Sequence, residues 1–217
     1  MFDVRSCAAL LAIALPIALH AADSADTQWP TYGNDEGGSR YSSLTQVDRG
    51  NVATLTEVWR YRTGDLGDGI PSSERMAYEA TPILLDGVLY LSTPYGHVHA
   101  LDAATGARFW HYDAQLPARD YSENTSRGVS AWRDPVPRSM CALRIFFGTL
   151  DARLIALDGA TGQPCPDFGV DGAVDLNKDT RPRDEGDYLV TSPPVVFRNL
   201  VITGSAVGDN RAVDNEL

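Results

Sequence analysis

Residues 101–106 read Leu-Asp-Ala-Ala-Thr-Gly, and residues 157–162 read Leu-Asp-Gly-Ala-Thr-Gly. The two copies lie 56 residues apart, and each follows an apolar run of strand length. Asp, Thr and Gly favour tight turns, so each copy predicts a turn between two β-strands. Repetition of such a turn along the chain indicates a fold built from similar units.

Short strands are predicted on both sides of the first copy. Residues 81–85, 88–93 and 98–102 read as three strands joined by tight turns, and Asp86-Gly87 between the first two is a strong hairpin signal. A fourth strand follows the repeated turn and extends to Tyr112. The unit therefore contains four short strands.

The same pattern returns along the chain. Strands are predicted again within residues 144–158, and a third unit opens at Thr191. An earlier strand over residues 58–61 resembles residues 109–112, 51 positions later. Four strands repeating at about fifty residues predict an all-β fold, a β-propeller with four-stranded blades. A β-sandwich has strands at similar spacing, but it does not account for the repeated turn.

Length and charge limit the possibilities further. The chain has 217 residues and a formal net charge of −11, from 18 Lys and Arg against 29 Asp and Glu. This acid excess argues against binding to nucleic acid or to anionic lipid, since both require a basic surface. Propellers close with about four to eight blades, and the repeat spacing allows fewer than four here. We therefore expect only the first few blades of a longer propeller.

The N-terminus resembles an export signal. Residues 8–19 form an apolar run that is too short to cross a bilayer as a helix, and small residues and a polar stretch follow it. We expect residues 1–22 to be a signal peptide and residues 23–217 to be the propeller portion, with no transmembrane segment. A buried N-terminal helix is the alternative.

Two cysteines, Cys141 and Cys165, remain once the signal peptide with its Cys7 is removed. An even number of cysteines in an exported chain favours a disulfide between them. Two unrelated buried thiols are the alternative.

Further motifs occur in a fixed order: Trp-Pro-Thr-Tyr-Gly at 29–33, Gly-Ser-Arg-Tyr-Ser-Ser-Leu at 38–44, Trp-Arg-Tyr-Arg-Thr-Gly-Asp at 59–65, Glu-Ala-Thr-Pro at 79–82, Trp-His-Tyr-Asp at 110–113, Arg-Gly-Val-Ser at 127–130, Thr-Ser-Pro-Pro at 191–194 and Gly-Ser at 204–205. This set resembles the PQQ-dependent quinoprotein dehydrogenases, most closely the glucose dehydrogenase branch that is normally membrane-bound. The two later cysteines also fall where that branch has cysteines.

The resemblance implies an eight-bladed propeller in the full-length family, with PQQ near its axis beside a calcium ion. Such enzymes oxidise sugar or alcohol hydroxyls in the periplasm and pass electrons to a quinone or a cytochrome. The family's catalytic aspartate has no counterpart here, so no catalytic residue is assigned and the fragment alone is expected to be inactive. A non-catalytic periplasmic propeller of the outer-membrane assembly type is the alternative, because it would show the same repeats.

Three residues resemble the family's PQQ-binding residues. Glu79 and Thr191 match side chains that hydrogen-bond the cofactor, and Arg127 matches an arginine that binds a PQQ carboxylate, for which a planar guanidinium fork is well suited. The alternatives are an exposed strand-edge carboxylate for Glu79 and strand propensity alone for Thr191. For Arg127 the alternative is a surface ion pair with Glu123 or Asp120.

Asp209 and Asn210 resemble calcium ligands of the family. They follow the predicted third-unit strand, and oxygen donors on such a loop suit Ca²⁺. Asp-Asn is also a common turn-forming pair, which is the alternative.

The sequence departs from the family in two places. Related enzymes have a Cys-Cys disulfide or a histidine just before the Arg-Gly motif, packed on the PQQ ring, whereas Glu123 occupies the likely position of that histidine here. His97 and His99 alternate on a strand, but we do not favour a metal site at that pair. The transmembrane helices of the membrane-bound branch are also replaced by a signal peptide, so we expect a periplasmic protein.

Overall fold

The computed structural model describes residues 28–65, 76–119, 121–136, 140–178, 180 and 186–207. A short 3-10 helix covers Val52–Thr54. The strands follow in the order β1 (Ala77–Thr81), β2 (Ile83–Leu85), β3 (Val88–Ser92), β4 (His97–Asp102), β5 (Arg108–Asp113), β6 (Thr125–Gly128), β7 (Ser130–Arg133), β8 (Leu143–Gly148), β9 (Arg153–Asp158), β10 (Ala173–Asp175), β11 (Tyr188–Leu189), β12 (Val195–Phe197), β13 (Leu200–Ile202) and β14 (Ala206–Val207).

Two four-stranded sheets repeat the same antiparallel arrangement. The first blade has the order β2-β3-β4-β5, and the second has β7-β8-β9-β10, so consecutive strands are neighbours in each. The hairpin β12-β13 begins a third unit. The all-β fold and the four-stranded blades predicted from the sequence are therefore confirmed.

The second blade is buried on both faces. Ile145 and Phe147 of β8 belong to a core shared with Val98 of the first blade. Phe146, between them, points the other way and packs in a cluster with Val196 of the third unit. Because side chains alternate along a strand, the apolar run at residues 145–147 of β8 packs against both neighbouring units.

Two tryptophans, each from the preceding part of the chain, cover the two repeated turns. Trp59 donates a hydrogen bond from Nε1 to the carbonyl oxygen of Ala103 over 3.2 Å, and Trp110 does the same to Gly159 over 3.0 Å. A Cβ on Gly106 or Gly162 would lie within 2.5 or 2.6 Å of the tryptophan ring above it. Both glycines have positive φ, so the last residue of the repeated turn is fixed by backbone conformation and by the ring.

A disulfide connects Cys141 and Cys165, whose Cα atoms lie 5.9 Å apart. Both cysteines are buried and pack with Phe146 and Leu154. The predicted pairing is thus confirmed, and it closes one side of the second blade.

The strand predicted over residues 58–61 is wrong. These residues are extended without strand pairing, because in the described part of the chain no strand lies beside them to form a ladder.

Residues 1–22, predicted as a signal peptide, lie outside the described residues. Among the residues that the structure describes, no helix is long and apolar enough to cross a membrane.

Candidate functional site

Three short segments, each leading into the edge strand of a unit, lie side by side. β1 leads into β2 and β6 into β7, and these two leading strands pair in parallel, with Ala77 opposite Thr125. Thr191, after β11, accepts a hydrogen bond at its carbonyl oxygen from the Arg127 backbone N–H over 2.8 Å. The entries of the three units therefore meet, which brings together residues far apart in sequence.

Gly128 permits this close approach. Its φ is +140°, and a Cβ there would lie 3.0 Å from the carbonyl oxygen of Thr81 and 3.8 Å from Pro193. Any larger residue would contact both neighbouring segments. The absence of a side chain at Gly128 thus lets the backbone next to Arg127 pass close to both neighbouring segments.

Arg127 lies at the centre of the three segments. Its Nε is 3.0 Å from a carboxylate oxygen of Glu79, and its Nη1 donates a hydrogen bond to the Thr191 hydroxyl over 2.6 Å. The three residues predicted to bind the cofactor are therefore direct neighbours. Thr191 is buried, whereas the Arg127 side chain is 35% exposed and the Glu79 side chain 46% exposed.

Glu123 is a second acidic neighbour of the guanidinium. Its carboxylate oxygen lies 3.7 Å from Arg127 Nη1, at ion-pair distance. One cation therefore stands between two half-exposed carboxylates. The alternative of an ion pair with Glu123 is compatible with this geometry, and so is a ligand that replaces Glu123.

The donor set suits an anionic, planar ligand. Guanidinium carries five N–H donors, and among the contacts described above only the one to the Thr191 hydroxyl is a hydrogen bond, while Glu79 and Glu123 lie at ion-pair distance. Its partial exposure leaves a cationic fork accessible beside a hydroxyl group. A carboxylate group fits such a fork. Asp209 and Asn210, the predicted calcium ligands, lie outside the described residues.

Three histidines cluster on the first blade, on strands β4 and β5. His97 and His99 lie on one face of β4, and His111 of β5 is the cross-strand partner of His99. One ring nitrogen from each lies within 4.8 Å of the other two. Asp65 contacts His97 Nδ1 at 2.5 Å, and the Tyr61 hydroxyl contacts His99 Nδ1 at 2.9 Å.

The three histidines have different electrostatic surroundings. Burial, with the charge of His111, lowers the pKa of His99 to about 4. Burial also lowers the pKa of His111, whereas the hydrogen bond to Asp65 raises the pKa of His97. The cluster therefore holds at least two neutral imidazoles at neutral pH.

The sequence alone missed this third histidine. His99 and His111 face each other because the repeated turn sets the register of β4 and β5, with an irregularity beside Leu101. Counting back evenly from the Leu101–Arg108 pair would have placed His99 opposite Trp110, so the irregularity is what brings His111 opposite His99. Asp65 carried no comparable signal, because it reaches His97 from an irregular segment.

Comparison with known proteins identifies the family and agrees with the fold. Residues 29–216 match the family model described as PQQ: glucose/ethanol/alcohol dehydrogenase, β-propeller domain. The quinate/shikimate dehydrogenase (quinone) of Acinetobacter baylyi is 33% identical over 206 residues, covering 86% of this chain and 25% of the relative. The quinoprotein glucose dehydrogenase of Escherichia coli is 35% identical over 193 residues, covering 86% and 24%.

A solved structure agrees. The quinohemoprotein alcohol dehydrogenase from Comamonas testosteroni matches with a TM-score of 0.65 and 31% sequence identity, covering 83% of this chain and 23% of that one. The chain spans about a quarter of the length of the curated relatives it matches.

Fold and site together define a β-propeller segment whose blade entries surround the partly exposed guanidinium of Arg127. The chain belongs to the PQQ-dependent glucose, ethanol and alcohol dehydrogenase family.

Proposed function

We propose that this chain forms the first blades, and part of the PQQ site, of a dehydrogenase that oxidises a sugar or alcohol hydroxyl. The observation that supports this most directly is the meeting of Glu79, Arg127 and Thr191 at the entries of three units. Electrons would pass to a quinone or a cytochrome. Catalysis would require residues beyond those identified in this chain.

Arg127 would bind a carboxylate of PQQ. Glu79 and Thr191 hold the guanidinium from two sides, so the fork is oriented before a ligand arrives. Preorganisation of this kind reduces the conformational entropy lost on binding. Thr191 also has a hydroxyl oxygen that can accept or donate a second hydrogen bond.

Electrostatic balance favours an added cation at this site. Glu79 and Glu123 already surround Arg127, so a tricarboxylate would meet excess negative charge. We propose that Ca²⁺ at Asp209 and Asn210 offsets it, since hard oxygen donors suit that ion. PQQ, when bound, supplies an ortho-quinone that accepts two electrons from the substrate hydroxyl.

The two relatives described above are named for glucose and for quinate or shikimate. These names support a hydroxyl-bearing substrate, and we propose the sugar or alcohol class for this protein. Glu123 is the residue that we expect to distinguish its ligand pocket, because it stands beside Arg127 in place of the stacking group of the family.

We propose a periplasmic location. The apolar N-terminal segment reads as a signal peptide. The disulfide between Cys141 and Cys165 agrees with this, because structural disulfides persist in oxidising compartments.

The proposal is tested by PQQ titration of the complete gene product in the presence of Ca²⁺, followed by tryptophan fluorescence and by dye reduction with a panel of sugars and alcohols. Arg127→Ala should weaken PQQ binding at least about 30-fold, since truncating one partner of a charge pair costs roughly 2 kcal/mol or more. Arg127→Lys should restore it only in part, because the bidentate fork is lost.

Arg133→Ala is the matched control, since Arg133 also pairs with a carboxylate, that of Asp86, but at an exposed position of the first and second blades. It should leave PQQ affinity unchanged. A folded protein without PQQ binding or turnover would instead support the non-catalytic scaffold. Equal losses of PQQ affinity in Arg127→Ala and Arg133→Ala would show that Arg127 does not bind PQQ.

A further inference from the structure

The three-histidine cluster contains a buried nitrogen that the protein does not satisfy. His99 is fully buried, and its Nε2 has no hydrogen-bond partner among the described residues. Its Nδ1 is held by the Tyr61 hydroxyl. Buried polar atoms are nearly always paired, so an orphaned imidazole nitrogen beside two other imidazoles calls for a ligand.

His97 is oriented in a similar way. Its Nδ1 contacts the carboxylate of Asp65, a residue that is itself only 2% exposed. Its other nitrogen, Nε2, lies 3.5 Å from a carboxylate oxygen of Asp113. Metal-binding histidines are commonly fixed through one nitrogen by a carboxylate or hydroxyl, which leaves the other nitrogen for the ion.

His111 completes the group. Its ring stacks on that of His99, with centroids 4.8 Å apart, and meets that of His97 edge-on at 4.9 Å. A ring nitrogen of each histidine lies within 4.8 Å of the other two, so small side-chain rotations would bring all three to one ion.

We propose that His97, His99 and His111 bind a divalent late first-row transition-metal ion, with Asp113 as a fourth ligand. Three imidazoles and one carboxylate suit Zn²⁺, which prefers four-coordinate sites with nitrogen and oxygen donors. Ca²⁺ does not fit, because it requires six or more oxygen ligands. The site is therefore distinct from the calcium site proposed for PQQ.

A metal ion here would connect two parts of the chain. The ligands lie on β4 and β5, whereas Tyr61 and Asp65, which orient them, belong to the segment that precedes the blade. Asp65 also accepts a hydrogen bond from the Tyr78 hydroxyl of β1, over 3.3 Å. Binding would thus fasten the preceding segment to the first blade, in a structural role.

The experiment is a titration of metal-free protein with Zn²⁺ against a chromogenic chelator, with Co²⁺ as a spectroscopic substitute. We expect one Zn²⁺ per chain, and an intense visible Co²⁺ spectrum typical of four-coordinate sites. His111→Gln, at an exposed position, should lower Zn²⁺ affinity by at least 100-fold. Asp65→Asn should lower it by roughly 10- to 100-fold, as expected for a positioning residue.

Two controls separate this proposal from the PQQ site. Arg127→Ala should leave Zn²⁺ affinity unchanged, and His111→Gln should leave PQQ affinity unchanged. Arg60→Gln removes an exposed ion pair with Glu57 in the segment that precedes the first blade. As a control for non-specific changes in that segment, it should also leave Zn²⁺ affinity unchanged.

Imidazole ¹⁵N NMR of the unmutated protein provides a test that no folding defect can affect. Zn²⁺ should shift the resonances of His97, His99 and His111 together. Absence of these shifts, or equal Zn²⁺ affinity of the unmutated protein and a folded His111→Gln variant, would overturn the proposal.

Discussion

The two copies of the repeated turn have the same internal structure and different surroundings. One carboxylate oxygen of Asp102 accepts hydrogen bonds from the backbone N–H and the hydroxyl of Thr105, over 2.7 and 2.9 Å. Asp158 repeats these bonds with Thr161, over 2.9 and 3.0 Å. However, the second carboxylate oxygen of Asp158 also accepts the backbone N–H of the disulfide-bonded Cys141.

Burial increases the contrast. Asp158 is 5% exposed, and Trp110, which covers its turn, is 8% exposed. Trp59, which covers the first turn, is only partly buried because it comes from a segment without strand neighbours in the described chain. The motif thus encodes a turn and a platform for a tryptophan, while the stability that it contributes depends on the neighbouring blade.

The largest difference between the two turns should come from their tryptophans. Trp110→Ala should reduce the free energy of unfolding by about 3–5 kcal/mol, the usual cost of removing a buried tryptophan. Trp59→Ala should cost less, because part of that ring already faces solvent. Urea denaturation followed by circular dichroism measures both, and equal losses would contradict the difference in packing.

Removal of the disulfide should weaken the second turn more than the first. The pair Cys141→Ala and Cys165→Ala should lower the free energy of unfolding by about 3 kcal/mol, since the bond closes a loop with a sequence separation of 24 residues. Hydrogen exchange at the amides of Thr161 and Thr105 would report the two turns separately. Faster exchange at both would show that the effect is global.

An isosteric change should distinguish the two aspartates. Asp158→Asn places an amide NH₂ or a single oxygen where two acceptors are needed, so one buried N–H loses its partner at a cost of about 1–3 kcal/mol. Asp102→Asn should have little effect, because one oxygen satisfies that turn. The comparison fails if thermal unfolding shows the two variants to be equally destabilised.

The smallest expected effect is a pH dependence at the first turn. The Thr105 hydroxyl and backbone N–H hold the pKa of Asp102 below its usual 3.8. Its folded pKa is therefore lower than its unfolded pKa, so this stabilisation is present above about pH 4 and is lost as the pH falls through the folded value. The difference in melting temperature between the unmutated protein and Asp102→Asn should shrink on acidification. A difference independent of pH would exclude this linkage.

Local features were predictable from the sequence. The repeated turn, the Asp86-Gly87 hairpin and the Cys141–Cys165 pair are confirmed because each depends on nearby residues or on a simple count. Residues 58–61 have the apolar and aromatic character of a strand, yet a strand forms only where a partner supplies hydrogen bonds. Pattern alone does not reveal that partner.

The site was predictable in a different way. Resemblance to the family singled out Glu79, Arg127 and Thr191, but no periodicity in the sequence brings them together. Their contact depends on the parallel pairing of β1 with β6, on the backbone hydrogen bond from Arg127 to Thr191 and on the small size of Gly128. The three-histidine cluster depends on strand register and on Asp65, so it became visible only in three dimensions.

The pairing of entry segments also has a kinetic consequence. The Arg127 side chain reaches across 64 residues to Thr191, and the Thr125 hydroxyl reaches across 48 to Ala77. Contacts of such long range form slowly, because the entropy of closing large loops is lost before they are made. We therefore expect the contacts around the Arg127 guanidinium to form among the last events of folding. Binding of an anionic ligand there would then indicate that the chain is fully folded.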